Sequence, residues 1–547
     1  MTELRTRVLI VGGSLGAVAA ALSCGRLGVP ALIVSEQQWL GGQLTSQGVP
    51  PDEHPWIEST GATTTYRELR HRIREAYRRM GVLTDSARMD PALNPGGGHV
   101  SPVTHDPRIA VAVIEEMLLP YRMSGMVEVR RGVEPVAVAT DHDRITAVEF
   151  GAFTVTADFV LDATETGALL PLAGVEYRIG AESQDEFAEP HAPAEAQPEN
   201  QQPISWCCAL RYRENGDAEP VLRPDEYEYW RTQAAAHWPG AQLSFDVIDP
   251  FTMKARTSRL FGIDGDPMSR DGGLWVYRRI ATPRNLTGTL ADIDMTILNW
   301  PMIDYWEAPI VDNPNGSAAL AHARSLTRSF VYWLQTEAPR PDGGAGYPEV
   351  ELAADVFETG HGLARDAYYR ESRRIVALTT ITENDIATGV RGGPDGPGRA
   401  RQFDDSVGLA SYRIDLHPST GGDSYIDIES YPAQIPLGAL IPQRVTNLLA
   451  ASKNIGTTHL SNGMYRVHPA EWNVGEAAGA LASWCALHDR KPVEIAENRE
   501  LTAEFQLLLH DRLGFELEWP SYIRTIARYV PQLQWTIREK RSGWHTG

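Results

Sequence analysis

The first apolar run of the chain is short and unbroken, and a helical pattern follows it. Val8 to Val11 are all apolar, as expected for a strand of a parallel sheet that is buried on both faces. From Ala17 to Leu27 the apolar residues follow helical spacing. A second apolar run, Ala31 to Val34, ends just before Glu36. The pattern therefore predicts a βαβ unit at the start of the chain.

Further along, four short runs between Val127 and Ala157 alternate between apolar and polar residues and predict an antiparallel meander. Phe159 to Leu161 predicts another buried strand, and the small-residue turn DATETG, Asp162 to Gly167, follows it. Ligands of open α/β sheets gather at such strand ends. Near the end of the chain, a helix is predicted from Pro469 to about Leu487.

These elements predict an α/β fold: a Rossmann-like nucleotide-binding domain with a central parallel sheet and a β-meander, an inserted mixed α+β substrate domain, and a C-terminal helical segment. The predicted boundaries are 1–175 for the first part of the nucleotide-binding domain with a helical excursion at 50–125, 176–420 for the substrate domain, 421–490 for the second part of the nucleotide-binding domain, and 491–547 for the C-terminal helical extension.

The turn after the first strand contains the first candidate binding residues, namely Gly12, Gly13, Ser14, Leu15 and Gly16. In the dinucleotide-binding fingerprint, three glycines let the chain turn, the pyrophosphate approach and the helix pack closely. Here Ser14 and Ala17 occupy the second and third positions, so both substitutions are small. A helix N-terminus attracts phosphate, and Glu36 stands where a ribose hydroxyl is bound. The turn predicts a dinucleotide site, with an ordinary tight βα turn as the alternative.

Charge and cysteine content narrow the partners. The 547 residues include 50 Lys and Arg against 71 Asp and Glu, a net charge of -21 that disfavours nucleic acid or an anionic membrane as the main partner. An anionic small substrate would need a local cationic pocket. The four cysteines form no CxxC, which argues against a disulfide framework or a structural metal and favours a reducing compartment. We therefore expect a cytoplasmic protein; a homo-oligomer stays open.

Six motifs then occur in order: GGSLGA, GGQLT, DATETGALLPLAGVEY, LNWPMIDYW, YYRESRRI and YRVHPAEWNVGEAAGAL. With them the sequence resembles the FAD-dependent oxidoreductases of the glutathione reductase-like superfamily, and within these the bacterial FAD-dependent oxidoreductase branch. The resemblance covers nearly the whole chain and implies FAD as the cofactor. The sequence departs from the family pattern at Ser14, Ala17, Ala168 and Ile303. The first two bear on pyrophosphate packing, and Ile303 bears on substrate contacts.

The resemblance also implies which residues line the cofactor. They are Gly12, Ser14 and Gly16 at the pyrophosphate, Glu36 at the adenosine ribose, Gly41, Gly42 and Gln43 along the cofactor, Val133 at the adenine, Ala163, Thr164 and Gly167 on the cofactor's path, and Asn473, Val474 and Gly475 at the pyrimidine edge of the flavin. The last placement has a physical reason, because reduced flavin is negative near N1 and O2 while a helix N-terminus offers unpaired N–H groups.

Candidate catalytic residues flank this helix start. His459 and His468 are the leading candidates for a base that removes a proton from the donor, and each has a purely structural role as its alternative. Arg466 is a candidate for binding a carboxylate or polarising a carbonyl, with a buried ion pair as its alternative. Asp304 and Tyr305 are candidates that reach the pocket from the second domain. The motif from Arg370 to Arg374 predicts mainly interdomain ion pairs.

Three functions are compatible with these residues. The first is oxidation of a small polar organic metabolite by hydride transfer to flavin N5, with oxygen or another acceptor taking the electrons. It rests on a single nucleotide-binding unit, because no second strand-glycine-helix pattern for NAD(P)H is found. The second is an NAD(P)H-dependent flavin monooxygenase or reductase. The third is a flavin-binding protein without catalytic activity.

Overall fold

The computed structural model of the protein describes residues 2–214, 218–262, 273–393 and 396–527. Trp535 and Trp544, in the predicted C-terminal extension, lie outside the described residues. Within the described ranges, no helix combines the length and apolarity needed to cross a membrane.

The first part of the chain contains six strands and five helices among its described residues. They are β1 (Thr2–Val11), α1 (Leu15–Leu27), β2 (Ala31–Ser35), α2 (Thr64–Met80), α3 (Asp85–Met89), α4 (Pro107–Met123), β3 (Val127–Arg131), β4 (Ala137–Asp141), β5 (Arg144–Glu149), β6 (Phe153–Asp162) and α5 (Leu169–Leu172), with a 3-10 turn at Gly42–Leu44.

The middle of the chain contains many short strands joined by long loops. Its elements are β7 (Tyr177–Arg178), α6 (Gln184–Phe187), β8 (Ile204–Ser205), β9 (Cys208–Tyr212), α7 (Tyr227–Thr232), β10 (Asp246–Asp249), β11 (Lys254–Thr257), α8 (Leu274–Tyr277), β12 (Arg279–Ala281), β13 (Met295–Leu298), β14 (Asp304–Tyr305), α9 (Gly316–Thr336), β15 (Val350–Leu352), β16 (Tyr368–Tyr369), β17 (Arg374–Ile375), α10 (Glu383–Ile386), α11 (Thr388–Arg391), β18 (Ser406–Ala410) and β19 (Ile414–Leu416), with 3-10 turns at Gly288–Leu290 and Pro301–Ile303.

The last part returns to the first sheet and ends in helices. Its elements are β20 (Ile426–Ile428), β21 (Ala433–Pro436), β22 (Leu448–Ala450), α12 (His459–Tyr465), α13 (His468–His488), α14 (Pro492–Glu497) and α15 (Arg499–Leu507), with a 3-10 turn at Leu437–Leu440 and a π-helical turn at Leu508–Leu513.

The first sheet has the parallel core that the sequence predicts. Its order is β3-β2-β1-β6-β5-β4, and β22 pairs with the carboxyl end of β6. Pairing is parallel between β3 and β2, β2 and β1, β1 and β6, and β6 and β22. The result is a mixed α/β architecture consistent with a Rossmann-like FAD-binding fold, in which the carboxyl ends of β1, β6 and β22 meet at one edge.

The predicted meander needs one correction. Val127–Arg131 does not join it, because this strand pairs in parallel with β2. The antiparallel part consists of β4, β5 and the first half of β6. The runs expected as two separate strands, 154–157 and 159–161, form one continuous strand, Phe153–Asp162. Its first half pairs with β5 and its second half with β22, so one strand belongs to both patterns.

Two helices from opposite ends of the sequence pack face to face beside this sheet. A Cβ on Gly475 of α13 would lie 2.1 Å from the carbonyl oxygen of Gly16 in α1. Ser23 Oγ of α1 donates to the carbonyl oxygen of Glu476 at 2.8 Å. Only small residues permit so close an approach of two backbones. This contact fixes the late helix against the glycine turn of the first βαβ unit.

The middle region is built from small antiparallel sheets. One has the order β12-β13-β9-β15 and another the order β14-β8-β16. Their buried hydrophobic side chains belong to the same continuous core as those of the parallel sheet. The predicted domain boundaries at residues 175, 420 and 490 therefore stay predictions.

Candidate active site

The glycine turn lies directly against the DATETG turn, as the sequence predicts. Gly12 has a φ of 112°, and a Cβ there would lie 2.1 Å from the carbonyl oxygen of Ala163 and 2.5 Å from the amide nitrogen of Thr164. Ser14 caps α1, where its Oγ accepts from Ala17 N at 3.3 Å. Leu15 begins the helix and is fully buried. These contacts bring the ends of β1 and β6 together around one turn.

The GGQLT loop closes the same turn from the other side. Gly41 N donates to the carbonyl oxygen of Gly13 at 2.7 Å. Gly42 has a φ of 45°, and a Cβ there would lie 2.2 Å from Glu165 Oε1 and 2.9 Å from Ser14 Cα. Gln43 Nε2 donates to the carbonyl oxygen of Arg466 at 3.1 Å and also to Glu471. The loop therefore connects the start of the chain with the segment before α13.

The residues predicted at the adenosine, and Gly167 at the end of the DATETG turn, do not all contact the glycine turn. Glu36 directly follows β2, and burial, with Glu165 nearby, raises its pKa to about 7. Val133 N donates to the carbonyl oxygen of Ser35 at 3.1 Å, which places Val133 beside the end of the same strand. Gly167 lies farther out, where a Cβ would be 3.0 Å from Cβ of Arg373.

The predicted flavin contacts at the start of α13 are displaced by the true helix boundary. The helix begins at His468, so Asn473, Val474 and Gly475 lie in its second turn, where amides are bonded within the helix. The Asn473 side chain is also used, since its Oδ1 accepts from Leu409 N and its Nδ2 donates to Val407 O, each at 3.1 Å.

The prediction that these three residues present free amides is therefore wrong. Val474 is buried, and Gly475 packs against Gly16. Pro469 has no N–H, and Glu471 N already donates to Val467 O. The amides at this helix start that lack a hydrogen bond within the described ranges are therefore those of Val467, His468 and Ala470.

Buried polar atoms without partners surround the cradle formed by the Gly12–Gly16 turn, residues 41–48 and Glu165. Among the described residues, no hydrogen bond reaches Gln43 Oε1, Gln47 Nε2, Gln47 Oε1 or Glu165 Oε1. Buried polar groups normally find partners, so these atoms indicate a ligand with hydroxyl donors and polar acceptors. The ribose, ribityl and pyrophosphate groups of FAD supply such groups. The residues of the cradle therefore fit this cofactor.

His468 does not fit the predicted role of a base. Its Nδ1 accepts from Asp52 N at 3.1 Å, and its Nε2 lies 3.0 Å from the carbonyl oxygen of Val49. Both ring nitrogens are thus bonded to backbone atoms. Burial lowers the pKa of His468 to about 3, although Asp52 acts in the opposite direction. The imidazole is neutral and fixes the loop at Val49 to the start of α13.

His459 has one ring nitrogen fixed and one free of hydrogen bonds among the described residues. Its Nδ1 lies 2.9 Å from both carboxylate oxygens of Glu371. Burial disfavours the charged imidazole, but the Glu371 carboxylate outweighs it and raises the pKa of His459. His459 also lines a cavity of about 120 Å³ together with Glu182, Glu189 and His191.

The protein contains a second carboxylate–imidazole pair, and its histidine was not predicted. Asp304 is fully buried, and its Oδ2 lies 2.6 Å from His417 Nδ1. Its Oδ1 accepts from Ser205 Oγ at 2.5 Å and from Arg370 Nη2 at 2.9 Å. Burial alone would raise the pKa of Asp304, but Arg370 and His417 hold it below its usual value. An ionised carboxylate thus orients the His417 ring.

Arg466 joins this pair to the cradle. Its carbonyl oxygen accepts from Gln43, while its Nη1 donates to the Tyr368 hydroxyl at 2.8 Å. Its Nη2 donates to the carbonyl oxygen of Asp415 at 2.8 Å, and Asp415 Oδ2 lies 3.8 Å from His417 Nε2. The main chain of Arg466 therefore faces the cofactor loop, and its side chain faces the charged residues around His417.

Tyr305 is not brought to the same place as Asp304. The two residues are neighbours in β14, so their side chains point to opposite faces of the strand. Tyr305 lines a separate pocket of about 510 Å³ with Gln242, Trp306 and Glu307. Burial raises the pKa of Tyr305 to about 12, so its hydroxyl stays protonated. Tyr305 thus lines a different pocket from the Asp304 side chain, and its catalytic role stays a prediction.

Sequence reasoning missed four further members of the charged group, namely Arg278, Tyr368, Asp415 and His417. Tyr368 stands within the recognised motif YYRESRRI, which was a usable signal. His417 carries no such signal, because its partner Asp304 is 113 residues away in the sequence.

The parallel sheet, the glycine turn and the unpaired polar atoms of the cradle define a dinucleotide-binding protein of the α/β class. A family model described as FAD dependent oxidoreductase matches residues 7–509. The chain therefore belongs to the FAD dependent oxidoreductase family and is an enzyme that uses FAD as its cofactor. The glutathione reductase-like superfamily and the bacterial branch stay predictions.

Comparison with solved structures gives distant similarities. L-proline dehydrogenase from P. horikoshii is 12% identical over 42% of this chain and 66% of that chain, with a TM-score of 0.24. The aromatic hydroxylase CabE from angucycline biosynthesis is 12% identical over 68% of this chain and 54% of that chain, with a TM-score of 0.28.

L-amino acid deaminase from Proteus vulgaris is 13% identical over 40% of this chain and 57% of that chain, with a TM-score of 0.23. The chain thus spans two thirds or less of the length of these proteins. The search of curated proteins finds no match.

Proposed function

We propose that this enzyme oxidises a small polar organic donor, and that oxygen or a separate acceptor takes up the electrons afterwards. FAD, when bound, supplies a hydride acceptor at its N5 atom. The observation that supports this function is the Asp304–His417 pair, which Arg466 connects to the cofactor cradle. Oxidation of an alcohol or amine requires a base for the departing proton, and this pair supplies one.

His417 is the base in this proposal. Asp304 accepts the hydrogen bond of the Nδ1–H group, so Nε2 is the nitrogen that receives the donor's proton in this proposal. Nε2 makes no hydrogen bond within the described part of the chain, and Asp415 Oδ2 lies 3.8 Å from it. The side chain is 17% exposed, so it is enclosed without being sealed.

Tyr368 and Arg466 orient the donor. Arg466 donates to the Tyr368 oxygen, so the Tyr368 hydroxyl hydrogen is available for an oxygen or nitrogen atom of the donor. The Arg466 guanidinium stabilises negative charge that develops on that atom while His417 removes the proton. Each of these steps uses a side chain that the structure places within the same connected group.

Two alternatives remain for direct test. His459 with Glu371 is a second carboxylate–imidazole pair, located on the 120 Å³ cavity. The other alternative is an NAD(P)H-dependent monooxygenase or reductase. A second nucleotide-binding unit for NAD(P)H is not found, because ladders of parallel strands in the described residues occur only in the first sheet, which has one glycine turn.

The experiment is anaerobic reduction of the purified holoenzyme by a panel of metabolites, followed by bleaching of flavin absorbance. With any donor found, His417→Asn should reduce the rate about 10²- to 10⁴-fold while flavin content stays at the wild-type level. His459→Asn tests the second pair, and His142→Asn, whose side chain is 95% exposed, is the matched control.

A wild-type rate in His417→Asn together with a large loss in His459→Asn would transfer the role of base to His459. Prompt bleaching by NADPH would favour the monooxygenase or reductase. If no metabolite reduces the bound flavin, the oxidase or dehydrogenase function is wrong.

A further inference from the structure

We propose that the donor carries a carboxylate, and that Arg278 and Arg466 bind this carboxylate between β12 and the start of α13. The inference rests on the proposed function, because it names the class of donor for that same site. The supporting observations are the incomplete pairing of both guanidiniums, their shared surroundings and an unpaired amide nearby.

Arg278 is buried with a loose partner. Its guanidinium lies 3.4 Å from Asp52 at each of its contacts, through Nη1 and Nη2, and Nη1 also donates to Pro50 O at 3.3 Å. Charge-assisted hydrogen bonds between arginine and carboxylate usually measure about 2.7–2.9 Å. Its Nε is buried and has no partner among the described residues. A guanidinium with five donors is therefore held in place without being satisfied.

Arg466 shows the same deficiency. Its contact with Asp415 Oδ2 is 3.2 Å long, and its Nε is likewise buried without a partner in the described ranges. By contrast, the neighbouring Arg374 is fully used, since it donates to Thr457 O, Gly180 O, Glu182 and Glu371. Buried guanidinium nitrogens without partners also occur at other arginines of the described residues, namely Arg130, Arg131, Arg178, Arg365 and Arg370. What distinguishes Arg278 and Arg466 is their position, since Asp52 links Arg278 to the start of α13, where Arg466 lies.

The two guanidiniums share one environment. Asp52, Tyr368 and Tyr412 contribute to the electrostatic surroundings of both Arg278 and Arg466. Asp52 is also joined to the start of α13, because its N–H donates to His468, two residues after Arg466. Asp52 therefore links the segment that carries Arg278 with the segment that carries Arg466. Two guanidiniums supplied by neighbouring segments suit bidentate binding of a planar anion.

Asn299 supplies an unpaired amide at the end of a neighbouring strand ladder. Both side-chain atoms of Asn299 are buried and lack partners among the described residues. Asn299 follows Leu298, which pairs with Cys208, so it lies beside Cys207 at the end of that ladder. The guanidiniums of Arg278 and Arg370 act electrostatically on Cys207. An amide offers a donor and an acceptor for a polar substituent next to the carboxylate.

Charge balance favours a monoanion over a phosphate dianion. Arg278 and Arg466 are already matched by Asp52 and Asp415, so the group is neutral before the donor arrives. A carboxylate adds one negative charge to this neutral group, whereas a phosphate dianion adds two. In a chain of net charge -21, a second uncompensated charge would be strongly disfavoured.

The test measures binding to oxidised holoenzyme without turnover. Acetate, propanoate and benzoate are titrated at constant ionic strength, and the flavin absorbance spectrum and the melting temperature are recorded. Acetamide, propanamide and benzamide are the neutral probes of matched shape, and inorganic phosphate is the dianion. We expect the carboxylates to perturb both readouts, and the amides and phosphate to bind at least about tenfold more weakly.

Variants locate the site. Arg278→Met should weaken carboxylate binding about ten- to a hundredfold, and Arg278→Lys should restore part of it, because each charged hydrogen bond contributes about 1.5–3 kcal/mol. Arg499→Met is the matched control, since its side chain is 91% exposed on α15. Bound flavin and melting temperature are measured for each variant, and if Arg278→Met does not fold, the wild-type comparison of acids with amides decides alone.

Equal binding of acids and amides to the wild type, or wild-type carboxylate affinity in a folded Arg278→Met, would overturn the inference. Carboxylate binding without reduction by any donor would contradict the proposed function and leave the anion site standing. Reduction of the flavin by a neutral donor, without any binding of carboxylates, would support the proposed function and overturn the carboxylate site.

Discussion

The cofactor cradle and the charged group around His417 are adjacent, yet they are built in opposite ways. The cradle brings small residues and backbone atoms into contact, as where Gly475 meets the carbonyl oxygen of Gly16. The charged group collects long ionisable side chains from segments far apart in sequence, including Asp52, Arg278, Asp304 and His417. The cradle therefore depends on shape, and the charged group depends on the pairing of charges that are largely removed from water.

The largest expected effect comes from filling the close contact between α13 and the cradle. In Gly475→Val, the new Cβ would meet the carbonyl oxygen of Gly16 at 2.1 Å, so α13 must move away from α1. We expect a loss of stability of about 3 kcal/mol or more, with loss of bound flavin. Melting temperature and the flavin-to-protein ratio after gel filtration measure the two effects.

Gly389→Ala is the control for this prediction, because no atom lies within 4 Å of a Cβ placed there. It should keep its flavin and change stability little. A Gly475→Val protein that is folded and retains stoichiometric flavin would show that the cradle tolerates a shift of α13, and the contrast between the two regions would fail.

Sequence reasoning succeeded where a structure follows from its immediate neighbours. The βαβ unit and the glycine turn were readable because apolar period, small residues and turn positions agree along one segment. Strand pairing was less readable. The apolar pattern of Val127–Arg131 resembles that of the antiparallel strands that follow it, yet this strand pairs with β2. An apolar pattern shows which face of a strand is buried, but it does not identify the neighbouring strand.

The candidate site was harder to predict from the sequence than the fold, for the same reason. The predicted start of α13 differed from the true one by a single residue, but the free amides were assigned several residues too late. Asp304 was predicted and His417 was not, because a buried ion pair between residues 113 positions apart leaves no local trace. The motif YYRESRRI predicted ion pairs between domains, and the ion pairs of Arg370 and Arg374 are observed. Their interdomain character stays a prediction.

The next prediction perturbs charge pairing and leaves shape nearly unchanged. Asp304→Asn keeps the size of the side chain but removes the charge that orients His417 and pairs with Arg370. We expect the rate of flavin reduction by a donor to fall about 10²-fold or more, with flavin still bound. Stopped-flow absorbance under anaerobic conditions measures this rate.

A purely structural role for Asp304 would instead lower stability without changing the pH profile of reduction. The melting temperature and the pH dependence of the rate are therefore recorded together, and Asp342→Asn, whose side chain is 66% exposed, is the matched control. An unchanged rate in folded Asp304→Asn would remove the pair from the mechanism.

A smaller effect concerns Glu476, a buried acid in α13. Glu476 is fully buried, and burial raises its pKa to about 7, against bonds from Thr65 and Arg26 that act in the opposite direction. The folded protein then holds a proton that the unfolded chain releases above about pH 4.5. Stability is therefore greatest below that pH and falls as the pH rises towards 7.

In Glu476→Gln this loss should shrink by about 1–3 kcal/mol across pH 5 to 8. Urea unfolding of the wild type, the variant and the control Glu500→Gln at several pH values measures the difference. An equal slope with pH in Glu476→Gln and wild type would show that this carboxyl is ionised inside the helix pair.

The smallest effect is expected at Gln47, where stability of the flavin-free protein and affinity for FAD should change in opposite directions. Gln47 is fully buried in the cradle, and both atoms of its amide lack partners among the described residues. If these atoms serve FAD, Gln47→Met should raise the stability of the flavin-free protein by about 1 kcal/mol, since a buried unsatisfied amide is removed. The same change should weaken flavin binding about five- to tenfold, because hydrogen bonds to the cofactor are lost.

Urea unfolding of the flavin-free protein and titration with FAD give the two numbers, with Gln402→Met, on an exposed loop, as the control. Opposite signs would mark the unpaired amide as a cofactor ligand, whereas a loss of stability without a change in FAD affinity would show that Gln47 only fills space in the core.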